Sequence, residues 1–140
     1  MSKLDGIIRF KKWELDEKRR LLVTFQDELA RLEQALEALY EERARESQLS
    51  ASSGSPVMLG EYLEGCRLRA EQLLQFIEIK DKEVSGQRDI VAAAFQDLKT
   101  FEIAAEREQE REKTRAVKVE QNMLDEQGLR TFRRMEDSNG

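Results

Sequence analysis

Apolar residues recur along this chain in two interleaved heptad rows. In the first third Ile8, Leu15, Leu22, Leu29 and Leu36 stand seven residues apart, and Leu4, Phe25, Leu32 and Leu39 fill a second row between them. After a break, Leu63, Ala70, Ile77, Val84, Val91, Leu98 and Ala105 repeat the same step, interleaved with Leu59, Cys66, Leu73, Ala94 and Phe101. Alternating steps of three and four residues mark one face of a helix, and a period of 3.5 makes that face a coiled-coil seam. The break is "SQLSASSGSP", Ser47 to Pro56, the one stretch dense in Ser, Gly and Pro. Such a cluster marks a loop.

The pattern predicts an all-α fold of two long helices, a first over about 3–48 and a second over about 57–134. A tip loop is expected over about 49–56 and a disordered tail over 135–140. The whole of 1–140 is expected to form a single coiled-coil domain. A loop this short returns the second helix antiparallel to the first, and the 3.5-residue period supercoils the hairpin left-handed. With the turn centred near Ser53, residue i lies opposite residue ~106 − i. Leu4 then meets Glu102, where the first helix runs out. The second helix is longer and overhangs as "REQEREKTRAVKVEQNMLDEQGLRTFRR". Lys11, Lys18, Lys80 and Gln87 occupy seam positions. Polar residues there lower stability but fix register.

Composition narrows the class. Charged residues make up 38% of the chain, with one proline and no histidine. That profile suits long helices better than a compact globular core. The net charge of −5 speaks against nucleic acid as a general partner. No apolar run is long enough to span a membrane, and "LDGIIRFKK" is too broken by charge to be a signal-peptide core, so a cytosolic chain is expected.

Catalysis lacks its parts. Without histidine there is no imidazole base or ligand, and one cysteine makes no thiolate cluster. The seven glycines form no phosphate-binding loop. No enzyme activity, cofactor or metal is therefore expected. Cys66 falls on the seam and reads as a small buried apolar residue.

Surface apolar residues remain. With Ile8 and Leu15 on the seam, Phe10 and Trp13 face away from it, three residues apart. Lys12, Arg19 and Arg20 lie around them, among seven basic and four acidic residues in the first twenty. An apolar patch with a basic rim suggests a protein interface, where Trp and Arg are favoured anchors; the alternative is that the overhanging second helix, or a second copy of the chain, covers Trp13. A second candidate lies beside the loop, where Tyr40 and Tyr62 flank the seam, one on each helix.

The opening "IIRFKKWELDEKRRLL" and the later "FQDLKTFEIAAEREQEREKTRAVKVEQNMLDEQGL" resemble the flagellar export protein FliJ family, in its alphaproteobacterial form. The resemblance spans almost the whole chain, and the two terminal segments carry it. It implies a component of the flagellar type III export apparatus, cytoplasmic and held at the inner face of the inner membrane through that apparatus. It implies a coiled-coil stalk that engages the hexameric export ATPase, promotes its assembly and activity, and contacts the export gate's cytoplasmic domain and export chaperones. On that reading Phe10, Lys12, Trp13, Arg19 and Arg20, with Arg107, Arg111 and Arg115, face the ATPase, and Tyr40 and Tyr62 face the gate. Ala44 stands where the family carries an aromatic residue, and Arg69 where it carries a small one, which weakens the gate assignment. Two alternatives share the pattern: the equivalent stalk of a virulence type III secretion system, and a generic scaffold that dimerises through its overhanging helices.

Overall fold

The computed structural model describes residues 3–53 and 56–139. They form two helices: α1, Asp5–Ser53, and α2, Pro56–Asn139. No strand occurs among the described residues. Asp5 sits in the first turn of α1, where a carboxylate suits the positive end of the helix dipole.

The helices outrun their expected ends. Residues 49–53, expected in the tip loop, are the last turn of α1. Ser52 Oγ donates to the carbonyls of Leu49 (2.9 Å) and Gln48 (3.4 Å), so this hydroxyl bonds back along the helix instead of breaking it. Pro56 opens α2, the position where its missing N–H costs nothing. The remaining loop residues, Gly54 and Ser55, lie outside those described. Residues 135–139, expected as a disordered tail, continue α2, with Ser138 Oγ donating to the Met135 carbonyl at 3.1 Å. Gly140 lies outside the described residues.

Contacts divide the chain into two compact units, Lys11–Gln96 and Met1–Phe10 with Asp97–Gly140. In the larger unit every predicted seam position is at least half-buried. Leu15 (3% exposed) and Val84 (2%) are the most enclosed, and Cys66, Ala70 and Leu73 are buried beside them. Successive cross-helix contacts run in opposite directions along the two helices, so the pair is antiparallel. Lys80 Nζ lies 2.6 Å from Glu28 Oε2 and 5.1 Å from the centre of the Phe25 ring. Gln87 Nε2 donates to the Lys18 carbonyl at 3.0 Å. The expected partners of Lys18 and Glu28 are residues ~88 and ~78, so the register holds to within about two residues. Lys80 and Gln87 thus find partners across the seam, as buried polar groups must.

In the smaller unit Leu98 is buried, and Leu4, Ile8, Phe101 and Ala105 are half-buried. From residue 109 to 139 every side chain of α2 is exposed. The expected unpaired extension is therefore present as helix.

Candidate partner-binding surfaces

Within the larger unit, Trp13 is 59% exposed, and Lys12, Arg19 and Arg20 are exposed beside it. The seam accounts for this: Leu15 points into the core, and two residues along a helix turn the side chain far from that direction. The arginines engage their own helix. Arg20 Nη1 lies 3.1 Å from Glu17 Oε1, and Arg19 Nη1 lies 3.9 Å from Asp16 Oδ1. Exposed pairs at this spacing contribute only about 0.2–0.5 kcal/mol, so a partner's carboxylate can displace them. Asp16, Arg19, Arg20, Val23 and Thr24 line a shallow groove of about 470 Å³. Val23, 54% exposed, is an apolar member that the sequence pattern did not single out.

Near the α1–α2 turn, Tyr40 is exposed with the Arg43 guanidinium 4.9 Å above its ring. This cation–π contact holds the ring without burying it. Tyr62 differs. Its hydroxyl is buried with no hydrogen-bond partner among the described residues. Burial, then the neighbouring Cys66 thiol, pushes its pKa up to about 12. A groove of about 240 Å³ lies against it, lined by Glu46, Ser50, Met58 and Leu59. Met58 is 72% exposed. The heptad pattern gave no signal for it, because it falls off both rows next to the expected loop.

In the smaller unit, Phe10 is 55% exposed. Arg107, Arg111 and Arg115 are exposed and line one groove of about 450 Å³ with Glu110, Thr114 and Lys118. Steps of four residues bring the arginines to one side of α2, and Lys118 follows at a step of three. Lys118 extends the expected row by one cation. None of the four forms an ion pair among the described residues. Farther along, Val117, Leu124, Phe132 and Met135 are each about 60% exposed, an apolar set that sequence reasoning did not pick out.

Other site chemistry is sparse. No group of histidine, cysteine or carboxylate side chains among the described residues could hold a metal ion. No described helix is long and apolar enough to cross a membrane. Cys66 is buried in the seam as expected.

A comparison with protein-family models matched the flagellar FliJ protein model over residues 1–137. No curated protein and no solved structure matched the chain. The family match spans both helices and both terminal segments on which the resemblance rests: the chain belongs to the flagellar FliJ protein family.

Proposed function

We propose that the chain is the stalk of a flagellar type III export apparatus, binding the hexameric export ATPase and favouring its assembled, active states. The observation that carries this reading is the family match over 1–137, on a chain whose seam is complete and whose aromatic and cationic residues remain exposed. Phe10, Lys12, Trp13, Arg19 and Arg20, with Arg107, Arg111 and Arg115, contact the ATPase. Tyr40 and Tyr62 serve the export gate's cytoplasmic domain, and export chaperones are further partners. The chain works in the cytoplasm and meets the membrane only through the apparatus.

The mechanism is binding without catalysis. A helical stalk seated in a ring shifts the ring toward whichever states hold it more tightly, by the difference in affinity and no more. Flexible exposed cations suit this role, since their weak intrahelical pairs are exchanged at little cost for pairs with the ring. The family match supports the flagellum over a virulence secretion system.

The test is capture of the tagged full chain from lysate of its native cell, read by mass spectrometry. Co-recovery of an export ATPase with a gate protein and flagellar cargo is the expected result. Recovery of virulence cargo reassigns the system, and absence of any export ATPase overturns the reading.

A further inference from the structure

Immediately before each α1-facing position of α2 between 66 and 94 stands a residue of a second heptad row. This row lies about 100° around the helix from the seam. It contains Phe76 (51% exposed), Ile79 (56%) and Ile90 (46%), and two glycines, Gly65 and Gly86, exposed within the helix. A methyl group added at either glycine would meet nothing within 4 Å. Neither glycine is therefore required by packing inside the chain, although each weakens the helix relative to alanine. Glycine on a helix face also lets another chain approach closely.

We infer that this face of α2 pairs with the same face of a second copy of the chain, antiparallel, as a two-fold dimer. The argument is complementarity in a single register. In an antiparallel helix pair, alternating seam positions face one another across the axis. Placing Phe76 opposite Ile79 of the second copy fixes every other layer. Arg69 then lies over Gly86 of the second copy, and Ile90 over its Gly65. Gln72 faces Glu83 of the second copy, an amide donor against a carboxylate acceptor. Each glycine receives a long side chain, the apolar pair sits at the centre, and the two-fold repeats each layer once. Such self-complementarity is what an isologous interface requires.

The surface is already concave where this register needs a hole. Gly65, Leu68, Arg69, Glu71, Gln72 and Gln75 line a groove of about 460 Å³ on this stretch of α2. Ile90 of the second copy enters there. The face lies wholly within the larger unit, and none of its residues is among those proposed to bind the ATPase. Residues 65–93 of a helix extend about 42 Å, and a single helix pair of that length falls at the small end of specific interfaces. The dimer is accordingly weak and concentration-dependent.

Sedimentation velocity of the full chain over a rising concentration series tests it, together with Gly65→Leu and Gly86→Leu. The wild type should pass from monomer to dimer in the micromolar range. Each leucine should weaken the dimer at least tenfold, while circular dichroism shows a monomer at least as helical and as heat-stable as the wild type. A wild type that stays monomeric throughout overturns the inference. So does a dimer that both leucine variants leave unchanged, since that dimer uses another face. ATPase binding by the wild type is measured separately, so failure here leaves the stalk reading intact.

Discussion

Gln87 on α2 reaches across the seam and donates a 3.0 Å hydrogen bond to the backbone carbonyl of Lys18 on α1. It is 5% exposed, the most deeply placed polar residue among those described. A helix carbonyl already has an intrahelical donor, so this bond satisfies the glutamine more than the backbone it touches. The substitutions should therefore separate. Gln87→Ala loses the bond and leaves space, and should cost about 1–2 kcal/mol in urea unfolding. Gln87→Leu removes the polar group and fills the space, and should stay within about 1 kcal/mol of wild type. A leucine variant as unstable as the alanine one would show that the bond itself holds the hairpin.

The exposed end of α2 and the buried seam of α1 should respond very differently to truncation. Leu15→Ala, at a site 3% exposed, should destabilise by about 2–4 kcal/mol. Leu124→Ala removes the same atoms from a site 61% exposed, and its effect should stay under about 0.5 kcal/mol. Thermal and urea unfolding of the two variants read this directly. Comparable losses would mean that residue 124 is covered.

Alkaline pH should loosen the hairpin. Burial favours the neutral phenol of Tyr62, whose pKa rises from 10.0 to about 12. A group raised in the folded state stabilises fully below its unfolded value and loses that contribution as pH climbs through the folded one. The window is thus pH 10 to about 12. The hydrogen bonds that Lys80 donates to Glu28 and then to Glu83 raise it above its ordinary 10.5, and its contribution fades in the same direction. Urea midpoints should hold steady up to pH 10 and then fall. Tyr62→Phe should be at least as stable as wild type at neutral pH, because its lost hydroxyl had no partner, and should fall less steeply above pH 10. A midpoint that drops equally in both proteins would assign the alkaline loss elsewhere.

The seam was readable because burial leaves a period in the residues: every row member from Leu15 to Ala94 is at least half-buried. The register was readable because one Ser-rich break fixed the turn, and the pairs Lys18–Gln87 and Glu28–Lys80 fall close to it. Helix ends were less legible. Serine weakens a helix only slightly, and Ser52 bonds to its own helix, so a serine-rich stretch reads as loop while folding as a last turn. The surfaces were partly legible. Exposure of Phe10, Trp13 and Tyr40 follows from their offset to the seam. The hydroxyl of Tyr62 and the pairing of Arg19 and Arg20 with Asp16 and Glu17 depend on rotamers, which no periodicity encodes.

The two mid-helix glycines make a simpler prediction. With open space at both positions, Gly65→Ala and Gly86→Ala should each stabilise the monomer, by up to about 1 kcal/mol. Unfolding at high dilution is the measurement. A loss of stability would reveal a close contact at the glycine.

The most direct test of the stalk account is ATP hydrolysis by the purified export ATPase of the same cell, titrated with the full chain and with Trp13→Ala. The account predicts saturable stimulation by the wild type, and stimulation at least several-fold weaker by Trp13→Ala at unchanged helix content. No stimulation by the wild type would contradict the stalk role, and equal stimulation by both proteins would remove Trp13 from the contact.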